Sequence, residues 1–251
     1  MASLDQIVAF LDLELKTTVI QDFPGAMNGL QLTNEGQIGR IVAAVDASLP
    51  VIEAVAAGGP GLLIVHHGMF WQGVQPVAGP FYRKLKIAME AGLAIYSSHL
   101  PLDIHLNYGN NILLAKGIGL QNPEPFLDRK GLLIGLKGGW CGTRNEMTRK
   151  MQEFLGGSVT VCPGGPEIIS KIGIVTGGAG SEVAKVAAAG LDSFITGEGP
   201  HWTYPLAEEL GLNVFYGGHY ATETFGVRAI SEAVAQRFQL EWKFFDHPSG
   251  L

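Results

Sequence analysis

Residues 38–71 read "IGRIVAAVDASLPVIEAVAAGGPGLLIVHHGMFW": an apolar run that ends in a turn, a helical stretch, and a second apolar run that ends on two adjacent histidines. Runs of branched apolar residues this short, bounded by Gly, Pro and Ser, are strands buried on both faces. The stretch between them, "LPVIEAVAAG", has the composition and spacing of a helix. Strand, helix, strand is the unit of a parallel sheet covered by helices. The pattern continues outward, with "FYRKLKIAMEAG" as a further helix and "LAIYSS" as a third strand.

The same stretch recurs. Residues 169–202, "ISKIGIVTGGAGSEVAKVAAAGLDSFITGEGPHW", align with it without a gap at an offset of 131. Ile38, Ile41, Ile64, Gly68 and Trp71 are matched by Ile169, Ile172, Ile195, Gly199 and Trp202. At an offset of 120, "LAIYSSHLPLD" (93–103) aligns with "NVFYGGHYATE" (213–223), pairing His99 with His219 and Asp103 with Glu223. The expected fold is therefore α/β, with two similar halves from an internal duplication, residues 1–125 and 126–251. Mostly parallel sheets are expected in both halves. A capping box from Thr143 to Glu146 opens the helix "RNEMTRKMQEFL", and Ser3 with Gln6 reads as another before the first helix.

Composition narrows the function classes. The 251 residues are 47% hydrophobic and 16% charged, with 17 Lys plus Arg against 23 Asp plus Glu and a net charge of −6. That is enough apolar material for one large or two modest cores. No basic cluster interleaved with aromatics is present, so a nucleic-acid partner is not expected. The N-terminal segment carries Asp5, Asp12 and Glu14 and no basic residue before Lys16, the reverse of a secretory signal. No apolar run approaches the ~18 residues that span a bilayer. The two cysteines, Cys141 and Cys162, form no C-x-x-C pair. A reduced, cytoplasmic protein without membrane partners is expected.

Four polar clusters fall just beyond strand ends: His66 with His67, His99 with Asp103, Glu198 with His201, and His219 with Glu223. The C-terminal edge of an open α/β sheet is where ligands bind. Imidazoles and carboxylates gathered there need a cation or a hydrogen-bond network to offset desolvation and repulsion. Nitrogen and oxygen donors without thiolate suit a first-row divalent ion such as Zn, Mn, Fe, Co or Ni. Adjacent histidines on a strand point to opposite faces. A backbone turn at Gly68 can bring both rings to one centre, or leave one ring for each of two. The glycine-rich "VTGGAGSE" (175–182) reads as a tight turn rather than a phosphate loop, because it lacks the G-x-G-x-x-G order. Trp71 and Trp202 flank the clusters as packing residues.

With "MNGLQL", "IVAAVDAS", "HHGMFW", "SSHLPLD", "GEGPHW" and "GGHYATE" in this order, the sequence resembles the Nif-three-like family over nearly its whole length. Members of that family carry the name GTP cyclohydrolase I type 2 homologue. The resemblance implies two facing α/β halves with a metal site between them, a dinuclear centre of two divalent ions, and a ring-like homohexamer. It also implies His66, His67, Asp103, His219 and Glu223 as metal ligands, with Glu223 bridging. His99, Glu198 and His201 would be pocket residues that face substrate and move protons. The expected activity is metal-dependent hydrolysis of a small molecule, a phosphoester or a cyclic amide or amidine; the alternative is a non-catalytic metal-binding or regulatory oligomer. No basic cluster adjoins the motifs to hold a triphosphate.

Overall fold

The structure is a computed structural model that describes residues 1–251. It divides into two compact units, Met1–Leu102 with Gly226–His247, and Asp103–Phe225 with Pro248–Leu251. The expected boundary at residue 125 falls inside a strand, Gln121–Arg129. The C-terminal strand, moreover, returns to the first sheet.

The first unit is built on a five-stranded sheet in the order Glu241–Phe244, Arg40–Asp46, Gly61–His67, Leu93–Ser97, Gly29–Leu32. The first four strands are parallel and the last is antiparallel to its neighbour. The central strands are buried on both faces, which is why they read as unbroken apolar runs. Val42, Ala44, Leu63, Val65 and Ile95 pack on Val51, Ile52 and Val55 of the helix Leu49–Ala56. That helix starts where Ser48 accepts the Val51 N–H and Pro50 occupies the first turn, a position that needs no backbone donor. The expected Ser3–Gln6 capping box is absent, since Ser3 makes no side-chain cap bond. Ser3 instead sits in a short antiparallel bridge opposite Gln37, and the Leu4 N–H donates to the Gly36 carbonyl. A paired backbone has replaced the cap.

The second unit carries a six-stranded sheet in the order Gln121–Arg129, Leu132–Thr143, Ile168–Ile174, Ser193–Thr196, Asn213–Tyr216, Thr160–Pro163. Only the three repeat strands are parallel; the outer pairings are antiparallel. The sheet is therefore mixed rather than mostly parallel, because Gln121–Arg129 and Leu132–Thr143 add an antiparallel pair on the side where the first sheet has the parallel strand Glu241–Phe244, while Thr160–Pro163 lies antiparallel at the other edge as Gly29–Leu32 does in the first sheet. The capping box at Thr143 and Glu146 is formed, and the helix Arg144–Leu155 buries Met147 and Met151 against Ile172, Ile174, Ile195 and Phe215. No helix is long and apolar enough to cross a membrane.

The duplication is visible in the ladders. Ile41 lies opposite Leu62, and at the offset of 131 Ile172 lies opposite Ser193. Between the second and third strands the match slips: Leu62 lies opposite Ala94, whereas Ser193 lies opposite Asn213. An alignment that pairs His99 with His219 thus differs by one residue from the one that pairs the strands.

Ile64 and Ile195 occupy the same place in the two sheets, and both are fully buried. Replacing either with Ala should cost about 2–5 kcal/mol through lost burial and the cavity left behind, and Val about 0.5–1.5 kcal/mol. Urea denaturation of each variant measures this. A loss below about 0.5 kcal/mol, the scale of a surface substitution, would mean that the repeat strands are not the cores of their units.

Candidate functional site

In the first unit the strand Gly61–His67 delivers His66 and His67 at its C-terminal end. Gly68 follows because a side chain there would collide with Gln31, whose Oε1 accepts the Met69 N–H at 2.7 Å. Both rings nonetheless reach one place. The His66 and His67 centroids lie 4.7 Å apart, and those of His66 and His99 4.9 Å apart. Each of the three residues offers a ring nitrogen, and these atoms all lie within 4.8 Å of one another, so the group could hold a metal ion. Trp71 stands edge-on to His99 at 4.8 Å and to His67 at 5.5 Å.

Every ring in this group has a partner that fixes it. His66 Nδ1 donates to the Ser98 carbonyl at 3.0 Å, His67 Nδ1 to Asp46 at 2.9 Å, and His99 Nδ1 to Asp22 at 2.9 Å. A carbonyl or a carboxylate can only accept, so Nδ1 carries the proton and, in the neutral ring, Nε2 carries the lone pair. Asp22 is itself held by Asn28 and by the Phe23 and Leu100 N–H groups. Burial alone would raise its carboxyl, but the contact with His99, the Asn28 amide and the Phe23 N–H outweigh it and hold the group at about 2.

The second unit carries carboxylates of its own. Asp103 ends the helical turn Leu100–Asp103; it is buried and accepts from Asn110 at 2.8 Å and Thr176 at 3.4 Å. His219 opens the turn His219–Thr222, and Glu223 follows as its cap. His219 Nδ1 donates to Glu198 at 2.8 Å, and its Nε2 lies 3.1 Å from Glu223. Glu223 is 2% exposed and Asp103 6%, and each offers a carboxylate oxygen within 4.8 Å of the other. Two buried carboxylates this close call for a cation. Burial pulls the His219 imidazole down, yet Glu223 and Glu198 outweigh it and carry it up to about 9.

The glycines of "VTGGAGSE" serve this arrangement. Gly177 has φ +70°, and a Cβ there would overlap Glu223 Oε1. A Cβ at Gly197 would meet the Gly177 carbonyl and His219 Cα, both at 2.7 Å. The turn lets the backbone lie directly under Glu223 and His219. Glu198 and His201 line a cleft of about 550 Å³ together with Tyr204 and Tyr216, and His201 is exposed within it. Trp202 is 50% exposed rather than packed.

Sequence reasoning missed Asp46, Asp22 and Gly177. Asp46 closes its strand directly opposite His67 in the ladder, a signal that "VAAVD" contained. Asp22 is 77 residues from His99, in a loop with no pattern to mark it.

Comparison with known proteins decides the ancestry. The Duf34/NIF3 (NGG1p interacting factor 3) family matches residues 2–249. The chain belongs to the Duf34/NIF3 family. Among its NIF3 relatives, the "GTP cyclohydrolase 1 type 2 homolog" of Deinococcus radiodurans is 36% identical over 250 residues, covering 98% of this chain and 94% of that one. The protein of the same name from Archaeoglobus fulgidus is 35% identical, covering 99% and 100%. Among solved structures, TTHA1606 from Thermus thermophilus superposes with a TM-score of 0.91 at 33% identity, covering 99% of this chain and all of the other. Reduced HcgD from Methanocaldococcus jannaschii superposes with a TM-score of 0.87 at 29% identity, covering 98% of both chains.

Two outcomes follow for this NIF3 chain. His219, raised from the ordinary imidazole value of 6.5 to about 9, contributes stability that is complete below pH 6.5 and is lost as pH rises through about 9. Melting curves of chelator-treated protein should fall across that window for the wild type and stay flatter for His219→Gln; parallel curves would contradict the Glu198–His219–Glu223 geometry. Gly177→Ala should weaken metal uptake by at least about 10-fold, because it displaces Glu223 and strains a left-handed backbone position. Isothermal titration with Zn2+ tests this, and unchanged affinity would contradict it.

Proposed function

We propose that the protein is a dinuclear metal-dependent hydrolase of a cyclic amide or amidine, with two first-row divalent ions held by His66, His67, Asp103, His219 and Glu223. The observation that carries this reading is that each of His66, His67 and His219 has its Nδ1 committed to an acceptor, the Ser98 carbonyl, Asp46 and Glu198 respectively. Histidines that bind metals are oriented in this way, with the second nitrogen bonded to a carbonyl or carboxylate. The donor set fits: His66 and His67, and His219 once its Nε2 proton is displaced, would supply nitrogen, and the buried Asp103 and Glu223 supply negative charge that a cation would balance.

Bound divalent ions would lower the pKa of water toward neutrality and polarise a substrate oxygen. The chain's own residues supply the rest. Glu198 spans from His219 to the cleft, so it orients a metal ligand and faces substrate at once. His201 lies exposed in the same cleft, placed to give a proton to a departing ring nitrogen. Thr203 Oγ1 donates to the Pro200 carbonyl at 2.6 Å and so accepts from Tyr216 at 2.7 Å, which leaves the Tyr216 oxygen to accept from a substrate N–H. No Lys or Arg lines the cleft, which favours an uncharged ring over a phosphoester. Self-association into a homohexamer is part of the same family-based proposal.

Metal-replete protein screened against cyclic amides, cyclic amidines and phosphoesters tests the reading, with Glu223→Gln as the blank. The expected result is ring-amide or amidine hydrolysis that Glu223→Gln abolishes. His201→Ala should lower turnover by about 100-fold or more with metal content unchanged. Elemental analysis should find two ions per chain. Saturation at one ion would contradict the dinuclear centre, and turnover confined to phosphoesters would contradict the substrate class.

A further inference from the structure

We infer that Thr203 sets the hydrogen-bond polarity of the cleft: by holding the proton of Tyr216 it makes that phenol an acceptor only, so that the cleft takes rings whose nitrogen still carries its hydrogen and turns away lactones and N-alkylated rings. This rests on the hydrolase reading above and narrows its substrate class.

The chain of hydrogen bonds can run in one direction only. The Pro200 carbonyl accepts and cannot donate, and Thr203 Oγ1 lies 2.6 Å from it, so the Thr203 hydroxyl proton is spent there. The Thr203 oxygen then has only lone pairs left, and the Tyr216 hydroxyl, 2.7 Å away, must donate to it. Burial pushes the Tyr216 phenol above the usual tyrosine range, so it keeps that one proton at neutral pH. What Tyr216 has left to offer the cleft it lines is a lone pair.

The packing holds this arrangement in place. Thr203 is 1% exposed, and its N–H donates to the same Pro200 carbonyl at 3.0 Å. A Cβ at Gly199 would stand 3.0 Å from Thr203 Oγ1 and 3.1 Å from Tyr216 Cε1, so the missing side chain at 199 leaves room for the pair. Glu198 adds a second group of the same sign. Its Oε1 accepts from His219 Nδ1 at 2.8 Å, and a carboxylate can give the cleft only another acceptor. The hydroxyls of Ser158, Thr160 and Tyr204 can rotate and impose no polarity. A ring N–H satisfies an acceptor of fixed sign. A ring oxygen sets lone pair against lone pair, and an N-methyl group leaves the acceptor unpaired. Sites built to bond an N–H reject the analogue that lacks it far more strongly than shape alone would.

Three uncharged rings of one size test this on the metal-replete protein: valerolactam, N-methylvalerolactam and valerolactone. Calorimetric dissociation constants are compared, or KM where a ring is opened. Wild type should favour valerolactam over the other two by at least about 30-fold. Thr203→Val keeps the shape but frees the Tyr216 proton to turn into the cleft, so valerolactone should bind about 10-fold tighter than to wild type, closing much of the gap. Thr203→Ser retains the hydroxyl and should keep the wild-type preference. Tyr216→Phe should weaken valerolactam by about 10-fold. Equal affinity of wild type for lactam and lactone, or an unchanged ratio in Thr203→Val, would overturn the inference while the hydrolase reading stands. A Thr203→Ser variant that shifts the ratio as Thr203→Val does would also overturn it, since packing rather than the hydroxyl would then be the cause. If none of the three rings binds wild type, the cyclic-amide reading falls and this inference with it.

Discussion

A buried imidazole has two nitrogens, and only one of them can face a metal; the other must find an acceptor inside the protein or the ring is not tolerated there. That constraint organises this chain. His66 meets it with the Ser98 carbonyl, His67 with Asp46, His99 with Asp22 and His219 with Glu198. The acceptors come from places the sheet makes available. Ser98 follows the neighbouring strand, and Asp46 ends the strand on the other side of His66–His67, opposite His67 in the ladder. The parallel register between Arg40–Asp46, Gly61–His67 and Leu93–Ser97 therefore does more than build a core. It sets two acceptors beside two histidines at one edge.

Charge organises the second unit. Asp103 and Glu223 are almost fully buried and close to each other, a pairing that is costly unless a cation or proton intervenes. His219, between Glu198 and Glu223, is held up to about 9, so without a metal it stays protonated at neutral pH and supplies part of the missing positive charge. A divalent ion bound there would compete with that proton. The glycines at 177 and 197 let the backbone come close enough to seat Glu223 and His219, which is why the loop looks like a phosphate cradle and acts as a floor.

The strands of both repeats were legible because strands buried on both faces leave continuous apolar runs, and the duplication followed from matching them. The polar residues at strand ends were legible for the same reason, since an apolar run that stops on "HH" is conspicuous. What stayed hidden was set by contacts distant in sequence. Asp22 reaches His99 across 77 residues from an irregular loop. The mixed second sheet was hidden because its antiparallel strands lie in the connecting region, where "QNPEPFLDR" contains two prolines and reads as linker, though it forms an edge strand on which proline is tolerated. The Ser3 cap failed because a cap motif is a local signal, and a backbone bridge to Gln37 overrode it. The slip of the third strand was invisible because the His-x-x-x-carboxylate match fixed the alignment one residue away from the ladder.

The central claim is that the histidines of the first unit are set for a metal before any metal arrives. Nitrogen-15 correlation spectra of the imidazole rings in chelator-treated protein read the tautomers directly. The account predicts that His66, His67 and His99 all carry their proton on Nδ1 at pH 8, and that adding Zn2+ moves the Nε2 resonances of His66 and His67 while leaving Nδ1 protonated. Finding the Nε2–H tautomer at His66 and His67, or Nε2 resonances that ignore Zn2+, would contradict it.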